Sequence, residues 1–296
     1  MNVPILLPVH NRIRVTQTGL ASLFKAISFY NSGSSIYNFS VILIDDGSTD
    51  GTANWAQTNF SCIYIIKGDG NLWWSGAINK GIEFSLKHFD SIMGFLLWND
   101  DLEIKEDYFL KLSSIISNSQ YKDTIIASTV YYKDIENKIF FQGGYFNFKN
   151  GNGYIINKDK IDTLQNTTVT DCQYTGGMGV FIPAAVIEKV GILDNKSFPQ
   201  YHGDIDFALR AIKKGFHIIC HSDIKVWNDR QQTYKTQLTS LSVYFKSLVE
   251  FRSNYNIKRD IKFYTKHVQF PYSVFMLMRK HMLHFRKALK SIYEKY

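Results

Sequence analysis

The 296-residue chain reads as an α/β protein: a mostly parallel, twisted sheet flanked by helices, followed by a helical, basic C-terminal extension. Three observations predict this. Apolar runs without polar alternation recur through the first hundred residues, as strands buried on both faces of a parallel sheet require. Segments with helical spacing of apolar residues separate those runs. The charge is also divided. From Lys235 onward 13 Lys+Arg face 3 Asp+Glu, giving +10, and the remainder carries 21 against 23, giving −2, for the total of +8.

The elements follow in order. VPILLP (3–8) predicts a first strand ending at a proline, and Val15, Leu20, Leu23, Phe24 and Ile27 predict a helix over 15–30. SVILID (40–45) is a second strand, 51–58 a short helix, CIYIIK (62–67) a third strand and 74–88 a helix. SIMGFLLW (91–98) is a fourth strand, with a helix at 105–117. Residues 123–180, rich in Tyr, Phe, Thr, Gly and Asn, predict antiparallel hairpins and loops. Helices follow at 183–190 and 204–214, a buried strand at 217–220, and helical, basic sequence from about 237.

Composition narrows the classes. With 45% hydrophobic and 15% aromatic residues the chain can bury a large core. Cys62, Cys172 and Cys220 lack metal-ligand spacing and suit small buried thiols in a reducing compartment. The start MNVPILLPVHNR shows no signal peptide, and no apolar stretch predicts a spanning helix.

Four successive strands end in polar clusters: Pro8-Val9-His10-Asn11-Arg12, Asp45 to Gly51, Gly68-Asp69-Gly70-Asn71, and Asn99-Asp100-Asp101. One cluster alone is turn chemistry. Four on one sheet edge predict a binding crevice, because ligands of open parallel sheets sit at the carboxyl ends of the strands. No GxGxxG follows the first strand and no GxxxxGK[ST] occurs, so a glycine cradle for phosphate is lacking. A divalent cation on one or two carboxylates would do that work. Two readings stand for Asp101, a metal foothold and a helix N-cap.

IDDGSTDGT, GNLWWSGAINKGI and NDD, followed by YTGGMGVFIPAAVIEKVGILDNKSFPQYHGDIDFALRAIKKGFHI, resemble the family 2 glycosyltransferases of the GT-A fold, nearest the rhamnosyltransferase-like branch. The resemblance spans roughly residues 3 to 230. It implies a GT-A domain over 1–235, with a nucleotide-sugar half to about 120 and an acceptor half over 121–235; 236–296 is the extension. Carried over residue by residue, it implies nucleotide-sugar binding by Pro8, His10, Asn11, Arg12, Asp46, Asn71, Trp74, Gly76, Asn99 and Asp100, with Asp46 the base reader. It implies Asp101 as ligand of a divalent metal, Mn²⁺ or Mg²⁺, although Asn99 replaces the first Asp of the motif. Asp204 takes the place of the catalytic base, with Gly203 where the family has Glu. Gly176, Gly177, Met178, His202 and Asp206 fall on the acceptor side. Trp227-Asn228-Asp229 stands where metal-dependent relatives often carry a His.

The implied reaction is inverting transfer from a dTDP- or UDP-sugar to a glycan hydroxyl, on an acceptor carried by a polyprenyl diphosphate, in bacterial surface polysaccharide (O-antigen or capsule) synthesis. One carboxylate base suffices, since no glycosyl-enzyme forms. Bland readings stand beside these. Asp204 would also cap a helix, Trp73 or Trp74 would pack in the core, Asn71 and Asn79 would anchor a helix start, and Gly76 would serve close packing. His202 fits substrate or surface.

In the last segment Phe275, Met278, Met282, Phe285, Leu289 and Ile292 recur at helical spacing among Arg279, Lys280, Arg286, Lys287 and Lys290. Such a helix suits the inner face of the cell membrane, with docking on the catalytic domain or on a second copy in a homodimer as the alternative. No nucleic-acid module is recognised. Two rivals remain: a sugar nucleotidyltransferase, which needs a glycine-rich loop that VHNRIRV lacks, and a non-catalytic scaffold of the same fold.

Overall fold

The computed structural model describes residues 1–33, 36–163, 169–229 and 238–293. Three layers form. Strands β1 (Asn2–Val9), β2 (Asn38–Asp45), β3 (Tyr64–Lys67) and β4 (Gly94–Leu97) are parallel, in the order β3-β2-β1-β4. Residues of β1 alternate between the two faces. Val3, Ile5, Leu7 and Val9 pack toward α1 (Ile13–Asn31), and Leu6 packs toward α3 (Trp73–His88). Both faces are covered, so the runs need no polar alternation. The short α2 (Thr52–Asn59) follows β2.

After β4 the chain makes the two-residue strand β5 (Leu102–Glu103), and α4 (Tyr108–Ser117) begins only at Tyr108. Asp101 is therefore no N-cap. β6 (Ile125–Tyr132) carries the short antiparallel β7 (Ile139–Phe141) at its side. β8 (Gly144–Phe146) and β9 (Gly153–Ile155) form a separate hairpin, and β10 (Val169–Asp171) ends the sheet. β11 (Val180–Pro183) runs antiparallel between β4 and β6, pairing Val180 with Leu97. That pairing brings residues 175–179, just before β11, to the carboxyl edge of β4.

Helices α5 (Ala184–Val190) and α6 (Gly203–Lys213) cover the α3 face. The strand expected at 217–220 extends to β12 (Ile218–Asn228), parallel to β6 and antiparallel to β5. CHSDIKVWN hides it, because its polar residues alternate. Cys172 and Cys220 are buried as expected, but Cys62 is exposed in the turn before β3. The extension folds as α7 (Leu241–Ser247), α8 (Ile257–His267) and α9 (Tyr272–Tyr293). It docks through a small core of Phe146, Phe198, Leu209, Phe263 and Val268.

Candidate active site

The turn after β1 is locked to the turn after β2. Asn11, at φ 51, accepts from Thr49 N–H at 2.8 Å and donates its own N–H to Ser48 Oγ at 2.9 Å. His10 Nδ1 lies 2.6 Å from the Asp46 carbonyl, and Pro8 is half-buried at the end of β1. Asp50 accepts from Ile13 N–H at the start of α1 and from Thr52. Burial raises its carboxyl's pKa, but these donors outweigh that and leave it below the usual range.

Asp46 is buried. Its carboxylate accepts from the N–H groups of Gly70 (2.9 Å), Leu72 (3.2 Å) and Trp73 (3.0 Å). It therefore staples the third strand-end loop, which holds Asn71 exposed, rather than standing open toward a base. Gly68 is dictated by this packing, because a Cβ there would lie 2.5 Å from Asp46 Oδ1. Gly76, in the first turns of α3, lies beside Asn195 and Leu72, where a Cβ would make only ordinary contacts of 3.4 Å and more.

The fourth cluster is built around Arg12. Its Nε lies 3.2 Å from Asp100 Oδ2 and its Nη2 3.1 Å from Asp101 Oδ2, and Thr16 Oγ1 donates to Asp100 Oδ2 at 3.1 Å. Burial pushes the Asp100 carboxyl up to about 7 against the pull of Arg12, and the Asp101 charge adds to the rise. Burial likewise raises Asp101. Asp101 Oδ1 is buried with no hydrogen-bond partner, and so is Asn228 Oδ1 at the end of β12, opposite Leu102. An unsatisfied buried carboxylate oxygen fits a hard cation. Asp101 Oδ1 would hold the metal, with Asn228 Oδ1 beside the same corner. Among the described residues no group of three or more His, Cys, Asp and Glu converges as a protein-only metal cage. Diphosphate oxygens and water would complete the shell.

Trp74 joins this corner to the acceptor half. Its Nε1 donates to Asn99 Oδ1 at 3.1 Å, its N–H to Gln200 Oε1 at 3.3 Å, and a Cβ on Gly177 would meet its ring at 2.0 Å. Gly177 is thus small because Trp74 lies on it. A Cβ on neighbouring Gly176 would lie 3.7 Å from Asp204 Oδ2. Met178 Sδ receives Asn228 Nδ2 at 3.1 Å. The structure therefore brings Asn99, Trp74, Gly176, Gly177 and Asp204 into one continuous wall.

Asp204 sits in the first turn of α6. Its Oδ1 accepts from Ile205 N–H at 2.8 Å, and burial pushes its carboxyl up to about 6 despite that bond. Leu97, Val180, Ile182 and Phe207 line a small, mostly apolar gap beside it. A carboxylate with a pKa near the working pH and few partners is suited to accept a proton.

Its neighbours differ. Asp206 is fully buried against Arg210 Nε (2.8 Å), Lys266 Nζ (2.7 Å) and His267 Nε2 (2.8 Å). Those hydrogen bonds, led by His267, outweigh burial and bring its carboxyl down to about 2. An acceptor contact by Asp206 does not fit this geometry: its oxygens anchor α6 to α8. His202 is neither surface nor open toward a substrate. It holds φ 68 before α6, stacks on Phe263 at 4.4 Å and faces Asp260 Oδ1 at 3.1 Å. Asp260, fully buried, also meets Lys280 Nζ at 2.8 Å and His281 Nε2 at 3.1 Å. Trp73 leaves the core too, stacking on Phe251 at 5.2 Å with Arg252 5.7 Å over its ring.

Asp260, His267 and Gln200 carry this arrangement and were not singled out in the sequence, and Lys280 was named only among the cations of the last helix. One signal existed: Asp260 and Glu250 are the only acids between 238 and 293.

The strand order, the crevice at the strand ends and the wall from Asn99 to Asp204 define a GT-A-type transferase of activated sugars. Residues 5–180 match the family "Glycosyl transferase family 2", and the chain belongs to that family. No curated protein is a significant match to the chain. Among solved structures, it is similar to the mannosyltransferase PcManGT from Pyrobaculum calidifontis in complex with GDP-Man and Mn²⁺, at 12% identity and a TM-score of 0.57. That match covers 98% of this chain and 73% of the other. It is also similar to S. aureus TarS 1–349, at 14% identity and a TM-score of 0.50, covering 88% and 69%. At these identities the structural likeness speaks for the fold.

Proposed function

We propose that the protein is an inverting, metal-assisted glycosyltransferase. It moves a hexosyl or deoxyhexosyl group from a nucleoside-diphosphate sugar, a dTDP- or UDP-sugar by the family resemblance, to a glycan hydroxyl. One observation carries the reading: Trp74 physically links the Asn99–Asp101 corner to the loop against Asp204. The donor's diphosphate belongs at the corner and the reacting carbon between the two.

Asp204 takes the proton of the acceptor hydroxyl as its oxygen bonds to the anomeric carbon. The carbon's bond to the diphosphate breaks, and the nucleoside diphosphate leaves with the electron pair. A single base on the face opposite the leaving group gives inversion. Arg12, held on Asp100 and Asp101, keeps two buried carboxylates ionisable side by side. A divalent ion at Asp101 would neutralise the charge that develops on the leaving group. The acceptor proposed is a glycan on a polyprenyl diphosphate in bacterial surface polysaccharide assembly, with the enzyme in the cytoplasm at the inner face of the membrane.

The test is a thermal-shift panel of UDP, dTDP, GDP and CDP, each with and without Mn²⁺ or Mg²⁺. A ligand at 100 times its dissociation constant adds about 2.7 kcal/mol of stability. One nucleotide should give a metal-dependent rise that Asp101→Ala abolishes. No response to any of the four leaves the non-catalytic scaffold as the better account.

A further inference from the structure

The extension docks by an unexpected face. Helix α9 turns Ser273, Met276, His284 and Ala288 inward, with Lys280 on Asp260 and His284 Nε2 2.8 Å from Ser247 Oγ. The inward face thus mixes polar Ser273 and His284 with apolar Met276 and Ala288. Its apolar stripe, Phe275, Met278, Met282, Phe285 and Leu289, stays 39–68% exposed. At roughly 100° per residue these five fall within about one third of the helix circumference. Arg279 and Arg286 lie along the stripe's border, with Lys287 and Lys290 farther round, all four in exposed positions. Phe285 touches Tyr244, whose neighbour Phe245 is 61% exposed, so the apolar surface continues onto α7. Exposed apolar surface concentrated in this way marks an interaction site.

We infer that this face of the extension binds the surface of an anionic lipid bilayer, with the stripe at the acyl boundary and the bordering cations at the headgroups. Charge selects this occupant. Residues 272–293 contain five Lys+Arg and no Asp or Glu. The 3-4-3-4 spacing from Phe275 to Leu289 would also suit a helix pair with a second copy. In that pairing Arg279 and Arg286 would flank the seam with no acid on either helix to meet them. A bilayer with anionic headgroups satisfies stripe and cations together. The inward face reaches the base helix through Lys280, Asp260 and His202, two residues from Asp204. The inference deepens the proposal of a lipid-linked acceptor but rests on exposure and charge alone.

The full chain is floated with vesicles of phosphatidylcholine with and without phosphatidylglycerol, at low and high salt. Wild type should float with the anionic vesicles, less so at high salt. Phe275→Ser/Met278→Ser/Met282→Ser and Arg279→Glu/Arg286→Glu should each lower partitioning at least about tenfold. All five positions are exposed, so the melting temperature should hold. Three results would overturn the inference: wild type failing to float, the triple variant floating as well as wild type, or a dimer by light scattering that the triple variant dissolves. Nucleotide-induced thermal shifts on the same samples report on the donor site, so they separate a failure here from a failure of the proposed function.

Discussion

The carboxylates of the sheet edge and those of the joint with the extension are oppositely treated. Asp204 is held by backbone N–H groups, Ile205 at 2.8 Å among them, and Asp101 has an oxygen with no donor. Burial therefore raises both. Asp206 and Asp260 each lie against three basic side chains, and both are lowered, although Asp260 Oδ2 accepts no hydrogen bond. Only two residues along α6 separate Asp204 from Asp206. The difference separates acids without a dedicated basic partner, Asp204 foremost, which the proposed function puts to chemical use, from acids held by basic side chains, which fasten α6 to the extension. Four predictions can break or sharpen that contrast.

The largest effect is expected at Asp204. Asp204→Asn should lower kcat by about 10²–10⁴, the usual contribution of a positioned base, in a sugar-transfer assay. It should also raise the melting temperature slightly at neutral pH. The sign follows from the raised pKa: above about 4 the fold bears the cost of an ionised, poorly partnered carboxylate, and the amide removes it. A stability loss equal to the activity loss would make Asp204 a fastener and erase the contrast.

Asp206 should behave in reverse. Asp206→Ala leaves Arg210 without its counter-charge and removes an acceptor from Lys266, which keeps Asp194, and from His267, and breaking such a buried cluster costs about 3–5 kcal/mol. The loss should appear in denaturant melts. Its pH signature has the opposite sign: the stability Asp206 supplies is fully present above about 4 and fades as pH falls toward about 2. Wild type should therefore lose this increment in acid, and the variant should show no such fall from that site.

Gly19 tests the metal corner indirectly. A Cβ there would lie 2.2 Å from the Asp100 carbonyl oxygen. Alanine favours a helix interior by roughly 0.5–1 kcal/mol, but overpacking against backbone costs about 1–3 kcal/mol. The clash should win. Gly19→Ala should melt earlier and, by moving the 98–102 turn, weaken the Mn²⁺-dependent nucleotide shift. A stabilised variant with a full shift would show that the turn yields freely.

Much of this was legible in the chain, and the limits are physical. The parallel strands were legible because both faces are buried, so VPILLP and the VILI of the second strand carry no polar residue to blur them. The crevice at the strand ends was legible because strand order collects strand ends on one edge, whereas Trp74, Gly177 and Asp204 came from the family resemblance alone. Partner choice was not. Asp46 looked like a base reader, yet its oxygens belong to the loop at 70–73. His202 and Asp206 looked open to an acceptor, yet they face Asp260, Lys266 and His267, some 60 residues away in sequence. Long-range ion pairs leave no periodicity. The amphipathic spacing of α9 was legible, but the choice of its docking face was not.

The smallest effect is the pH dependence of the base itself. With the Asp204 carboxyl at about 6, the active ionised form should fall about tenfold per pH unit well below that value and level off above it. A profile of kcat/KM in wild type should therefore bend near pH 6, provided the nucleotide-induced thermal shift stays constant over the same range. Tyr174 offers a way to move the bend. Burial raises its hydroxyl to about 12, helped by the nearby Asp204 charge, so it remains a neutral phenol beside the base. Tyr174→Phe keeps the ring and removes the only polar atom it can present. If the hydroxyl helps to carry the ionised base, the bend should shift upward. If burial alone sets the value, the bend should stay near 6, and the raised carboxyl would follow from burial without a basic partner, which is the contrast in its plainest form.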